Sequence, residues 1–206
     1  MTISVGRFIT LLLLLSFLTP AAKSYSEQAE FLRVNPMADV VTLHFSDYQL
    51  FERIMLVHDT VMGGRSSSAV TRQRDNAVLF SGNLSLDNNG GFASAEFKLV
   101  RPINSINSTA LQLNAVADGR IYQLRLKTPF IPQGIAYVAE FTTQQSLQSY
   151  LFSLDMFSGR YRGNPVVNLP PLSFADVTHI SIMLADKTAG PFHIALYSLS
   201  YISLPE

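Results

Sequence analysis

The chain of 206 residues contains no cysteine and no tryptophan. Without Cys there is no disulfide framework, no thiolate metal site and no lipidated Cys behind a leader. Without Trp, the broadest aromatic platform for stacking on a sugar is missing. Neither sign of charge dominates. Lys and Arg number 15 and Asp and Glu 15; setting aside Arg7 and Lys23, which lie within an N-terminal leader, leaves 13 basic residues against 15 acidic ones. Such a balance carries no electrostatic footprint for nucleic acid. The sequence also lacks Gly-x-Gly-x-x-Gly, a P-loop, a Gly-x-Ser-x-Gly elbow and His-Glu-x-x-His, so nucleotide cofactors, serine-esterase chemistry and zinc-protease chemistry lose their usual support. Its four histidines, His44, His58, His179 and His193, lie far apart in sequence. There is no internal repeat, and past the N-terminus no stretch keeps a helical period of 3.6.

What is present begins with the leader. Arg7 precedes an eleven-residue apolar run from Phe8 to Leu18 with five consecutive Leu, followed by Pro20 and by Ala22-Lys23-Ser24 as a small-x-small cleavage site. The run is shorter than the roughly 20 residues a membrane span needs. Residues 1–24 therefore read as a signal peptide, and the mature chain as exported, periplasmic or secreted, with no stable membrane span. A lead-in segment follows over residues 25–39. From Val40 onward, short runs with period two alternate with Gly, Asn, Asp and Pro at spacings of about 8–12 residues, which predicts an all-β domain. Ala93, Ala95, Phe97 and Leu99 alternate with Ser94, Glu96 and Lys98; Tyr122, Leu124 and Leu126 alternate with Gln123, Arg125 and Lys127; Ile180, Ile182 and Leu184 and then Phe192, Ile194 and Leu196 close the pattern. Phe157 to Asn164 reads as a polar loop bounded by Gly. About ten strands with one wet face predict two sheets packed face to face, a single jelly-roll sandwich over residues 40–206, with 48% hydrophobic residues for its core.

The stretch that departs from this alternation is His58-Asp59-Thr60-Val61-Met62-Gly63-Gly64-Arg65-Ser66-Ser67-Ser68. Paired Gly frees φ and Ser hydroxyls compete for the backbone, so this reads as a shaped loop, with Asp59, Met62, Gly63, Gly64 and Ser66 as its structural turn. Asp59 is expected to cap the turn by accepting the amides of Val61 or Met62. His58, Asp59 and Ser66 to Ser68 also supply the residue types of a hydrolytic triad, yet neighbours on an extended segment point apart. Asp59, Asp87 or Asp186, together with loop carbonyls, is a candidate holder of a structural Ca²⁺, which prefers such oxygen ligands. Arg160-Tyr161-Arg162 offers a flat aromatic face between two guanidinium groups.

The loop resembles the Asn-Asp-Gly-Val-Met-Gly-Gly-x-Ser signature of the complex I intermediate-associated protein family. So do Phe80 to Leu86 running into Gly90-Gly91-Phe92-Ala93-Ser94, Phe157 to Gly163, and Asp186-Lys187 with Gly190-Pro191-Phe192; His58 and Thr60 replace the family's usual Asn and Gly. The resemblance spans roughly residues 45–203 and implies a galactose-binding-like sandwich. It also implies a non-catalytic protein-binding module with an assembly role, no cofactor and a protein partner; a carbohydrate-binding module is the alternative and a hydrolase the third. Arg65, Tyr161 and Arg162 are the expected partner-binding residues, on two loops expected to share one surface.

Overall fold

Period-two alternation sends one set of side chains inward on each strand, and those sets meet between two sheets. The computed structural model describes residues 40–100, 103 and 108–203. The chain divides into two compact units, residues 1–38 and 39–206, and the described residues all belong to the second. The expected signal peptide, residues 1–24, and the expected lead-in segment, residues 25–39, lie outside the described residues.

Thirteen strands follow in order: β1 (Val41–His44), β2 (Ile54–His58), β3 (Ser67–Arg72), β4 (Val78–Leu84), β5 (Ala93–Lys98), β6 (Ala110–Ala117), β7 (Ile121–Lys127), β8 (Ile135–Thr142), β9 (Gln148–Ser153), β10 (Ser158–Tyr161), β11 (Asn164–Pro165), β12 (His179–Leu184) and β13 (Gly190–Ile202). One sheet has seven strands in the order β11-β10-β8-β7-β12-β5-β2; the other has six, ordered β3-β4-β13-β6-β9 with β1 added to β13. All pairs are antiparallel, as expected of a jelly roll. The long β13 organises the second sheet. Its first half pairs with β4 and its second half with β1, while β6 runs along the opposite side; the register shifts between Leu196 and Ser198. That bulge at Tyr197 turns its hydroxyl to Asp75 Oδ2 at 2.7 Å and its carbonyl to the Phe45 amide at 3.2 Å.

The inward sets fill the space between the sheets. Ala95, Phe97, Leu124, Leu126, Ile180 and Ile182 from one sheet face Phe80, Leu111, Leu113, Ile194, Leu196 and Leu199 from the other, all fully buried. Phe141 of the first sheet meets Phe152 of the second edge-to-face at 5.3 Å, and Phe45 meets Phe97 at 4.9 Å. Each such side chain stabilises the fold by about 1.5–3 kcal/mol on burial, so removing the Phe152 ring would open the contact between the sheets.

Two local expectations need correction. Phe157 to Asn164 is not a loop: β10 adds to β8 and turns back on β11, making an edge hairpin. Its strands come from backbone pairing, with too few apolar side chains to show a period of two. A Cβ at Gly159 would lie 2.4 Å from Leu169 Cδ1, so only Gly lets the following segment tuck beneath. Asp47 nucleates a short helix, α1 (Tyr48–Phe51), by accepting the amides of Gln49 and Leu50.

Candidate functional site

The signature stretch connects the two sheets at one corner. His58 ends β2, a 3₁₀ turn covers Asp59–Met62, and Ser67 and Ser68 already belong to β3. Asp59 is fully buried, yet it does not cap its own turn. Oδ1 accepts the Ser66 amide at 2.9 Å; Oδ2 accepts the Ser66 hydroxyl at 2.5 Å, the Gly91 amide at 2.6 Å and the Phe92 amide at 3.4 Å. The turn is closed by backbone alone, with the amides of Gly63 and Gly64 reaching the carbonyls of Thr60 and Asp59. The correction has a physical reason: a carboxylate turned inward satisfies the part-buried amides of a second loop as well as the Ser66 amide and hydroxyl. Burial pushes the Asp59 carboxyl up, but the Ser66 hydroxyl and three amides outweigh it and hold it below the usual range.

Three glycines shape this corner, for different reasons. Gly63 has φ 88°, with open space where a Cβ would stand. Gly64 is not left-handed; a Cβ there would lie 2.4 Å from Asp59 Cγ, and one at Gly90 2.6 Å from Oδ2. Asn88 Nδ2 donates to the Gly63 carbonyl at 2.9 Å, and Arg65 reaches Asp87 at 3.9 Å across an exposed gap. On this frame Val61, Met62 and Leu86 stand 74%, 54% and 44% exposed.

The same geometry separates the triad residue types. His58 Nε2 meets Ser68 Oγ at 2.6 Å, whereas Asp59 is saturated by Ser66 and the second loop. Among the described residues no carboxylate orients His58, so no Ser–His–Asp relay forms. The three Asp candidates for Ca²⁺ form no shared cluster. Asp59 and Asp186 are taken by proton donors and Asp87 pairs with Arg65, and the described residues hold no cluster of three or more His, Asp or Glu suited to a metal.

Asp186 belongs to a staple between the sheets. Arg120, in the β6–β7 turn, donates Nη2 to Asp186 Oδ1 at 2.6 Å and Nε to Oδ2 at 2.9 Å. Its other contacts reach the carbonyls of Thr188, Gly190 and Pro191. The Asp186 hydrogen bond raises the guanidinium pKa further above its ordinary range. Asp118 completes the staple, accepting the Tyr122 hydroxyl at 3.1 Å and the His193 amide at 2.9 Å.

The Arg160–Arg162 segment lies elsewhere. Arg162 (φ 47°) and Gly163 (φ 82°) form the two-residue turn between β10 and β11, and the Arg162 guanidinium stacks over the Tyr161 ring at 5.4 Å. Tyr161 pairs with Ile135 at the start of β8. The signature corner sits at the other end, since His58 pairs with Ala93, Ala93 with Leu184, Leu184 with Tyr122 and Tyr122 with Phe141. It is also on the other flank, five strand spacings from β10 or about 24 Å. Arg65 therefore does not share a surface with Tyr161 and Arg162. Loop composition alone carried that expectation, and strand order decides it.

Sequence reasoning passed over the outer face of the seven-stranded sheet. Met55, Glu96, Ser181, Arg125 and Val138 stand in one cross-strand row. Glu96 is 7% and Ser181 2% exposed. Lys127 Nζ meets Glu96 Oε2 at 2.5 Å, and the Ser181 hydroxyl donates to the same oxygen at 3.1 Å. Arg125 Nη1 donates to Gln123 Oε1 at 2.9 Å, and Gln123 Nε2 to Glu140 Oε1 at 3.0 Å. The signal was the wet half of each alternation; which wet halves adjoin was not legible. Elsewhere, a cavity of about 700 Å³ opens beside β1 and α1, lined by Leu43, His44, Asp47, Leu50 and Leu99. Asp47 is spent on the α1 cap there, leaving no acid–base pair.

Two antiparallel sheets packed face to face and joined at a locked corner define a galactose-binding-like jelly-roll β-sandwich. The chain belongs to the family of Complex I intermediate-associated protein 30 (CIA30), which it matches over residues 43–196. No curated protein matches it in sequence. In structure it resembles the family 11 carbohydrate-binding module from Clostridium thermocellum in complex with a β-1,3-1,4-mixed-linked tetrasaccharide, at a TM-score of 0.54 and 15% identity over 81% of this chain and 98% of that one. The same module type from the cellulosomal cellulase Lic26A-Cel5E of Clostridium thermocellum aligns at 0.54 and 14% identity over 81% and 98%. The agarase AgWH50C aligns at 0.53 and 12% identity over 81% of this chain and 25% of its own. At these identities the likeness concerns the fold.

Proposed function

We propose that the chain is a non-catalytic protein-recognition module that works outside the cytoplasm in an assembly-factor-like role, and that it grips an apolar patch of its partner through the signature corner. One observation carries this reading: Val61, Met62 and Leu86 are exposed on two loops that Asp59 locks together. Apolar side chains on a rigid frame bind without a large ordering cost. The polar rim of Arg65, Asp87 and Asn88 sets orientation more than affinity. Family membership supports the reading. The test is a photo-crosslinking residue placed at Met62 in the exporting cell, with Thr71 as an exposed control. A discrete adduct at Met62, absent at Thr71 and lost when Val61 and Leu86 are changed to Asp in a folded protein, is the expected result. Identical adducts at both positions would sink the assignment.

A second reading is favoured by the polar outer face of the seven-stranded sheet together with the likeness to carbohydrate-binding modules: recognition of a glycan chain laid across β5, β12, β7 and β8. Glu96, Ser181, Gln123 and Glu140 are already held by one another or by Lys127, so this face presents oriented hydrogen-bonding groups. Retention on immobilised polysaccharides in affinity electrophoresis tests it.

A further inference from the structure

Burying a guanidinium without an anion is costly, because the group cannot shed its charge. Arg125 is half-buried and bears part of that cost. It stands mid-strand on β7 at the middle of the outer face, between Ser181 and Val138. Burial lowers its affinity for the proton and the Glu96 charge only partly offsets this. Its hydrogen bond among the described residues goes to the neutral amide oxygen of Gln123, and it makes no ion pair with a described carboxylate. The carboxylates nearby are occupied: Glu96 by Lys127 and Ser181, Glu140 by Gln123.

Beside it runs a row of basic side chains. His179 pairs in register with Lys98 on one side and Lys127 on the other, and Arg160 pairs with Ala136 on the next strand but one. These groups feel one another: burial lowers the His179 pKa, Glu96 opposes this, and Lys127 and Lys98 add to it. The outward positions of β2, β5, β7, β8 and β12 carry no Phe, Tyr or Trp, so a neutral sugar would find no ring to stack on.

We propose that the outer face of the seven-stranded sheet is a binding site for an acidic polysaccharide, with Arg125 receiving a carboxylate or sulfate group and Lys98, His179 and Arg160 flanking it. This rests on the second reading above and names its ligand class. A planar fork of N–H donors fits a carboxylate in bidentate fashion, and the anion supplies the charge that Arg125 lacks. Lys127 stays with Glu96 and keeps that acid from repelling the ligand.

The experiment is affinity electrophoresis of the full chain in gels containing polygalacturonate, chondroitin sulfate, mixed-linked β-glucan or poly-glutamate, at two salt concentrations. Retardation by polygalacturonate or chondroitin sulfate but not by β-glucan is expected; polygalacturonate carries carboxylates alone and chondroitin sulfate both groups, so retardation by polygalacturonate assigns the carboxylate and retardation by chondroitin sulfate alone assigns the sulfate. Arg125→Gln should weaken it about ten-fold, the effect of losing one charged hydrogen-bonding group. Circular dichroism checks the fold. Lys98→Gln, at an exposed side chain, should weaken binding about two- to three-fold at low salt and make its salt dependence shallower; if Arg125→Gln does not fold, unchanged retardation and salt dependence in Lys98→Gln would overturn the site. Equal retardation by β-glucan would overturn the anion site while sparing the glycan reading, and no retardation by any glycan would overturn both. Stronger retardation by poly-glutamate than by either acidic glycan would assign the face to an acidic peptide and overturn the proposal.

Discussion

The Gly91 amide donates to Asp59 Oδ2 at 2.6 Å across 32 residues of chain. That one carboxylate joins the signature loop to the loop after β4, and it explains why both carry paired glycines. Asp59→Asn should destabilise the protein by on the order of 3 kcal/mol, because an amide NH₂ would face backbone donors that then lose their acceptor. The sign with pH follows from the lowered folded-state pKa: the stabilisation is complete above the unfolded value near 4 and is lost as pH falls through the folded one. Urea melts of the two proteins should therefore converge below about pH 4. A constant gap down to the most acidic pH at which both still fold would count against the hydrogen-bonded carboxylate.

The neighbouring glycines should respond differently to the same change. Gly63→Ala introduces only left-handed strain, about 1 kcal/mol, and Gly63→Asn less, since Asn tolerates that region. Gly64→Ala places a Cβ against Asp59 Cγ and should displace the carboxylate, costing more than Gly63→Ala and as much as Asp59→Asn. Thermal melts of the three variants rank them; a Gly64→Ala protein as stable as the parent would disprove the close approach.

Arg162 holds the first position of a turn in which both residues have positive φ. Such turns favour Asn-Gly, so Arg162→Asn should stabilise the protein by a few tenths to about 1 kcal/mol, offset in part by loss of its contact with the Tyr161 ring. A rise in melting temperature is the expected reading, and a clear fall would show that the stacking outweighs the backbone.

His179 is harder to protonate in the folded protein than in the unfolded chain, by burial first, with Lys127 and Lys98 adding to it and Glu96 opposing. Above the unfolded value near 6.5 it is neutral in both states and contributes no pH dependence. As pH falls below that value the unfolded chain takes up a proton first, so stability declines until the folded-state pKa is passed. His179→Gln should flatten the stability profile between about pH 7 and pH 5. An unchanged slope would place the acid sensitivity on another group.

How much of this was legible depends on the range of each interaction. Alternation of Ala93 to Leu99, of Tyr122 to Lys127 and of Ile180 to Leu184 is a property of neighbours in the chain, and by itself it determined an all-β sandwich and which residues fill its core. The motif around Asp59 to Ser66 likewise determined the family and the need for a shaped turn. Only the tertiary structure decided where Asp59 points, because its donors are the amides of Ser66, Gly91 and Phe92, brought near by strand pairing. Strand order alone set Arg65 and Tyr161 at opposite corners, and strand order alone lined up Lys98, His179 and Lys127. A wet side chain on one strand carries no record of its cross-strand neighbour, since that neighbour comes from a register fixed by the packing of the buried face.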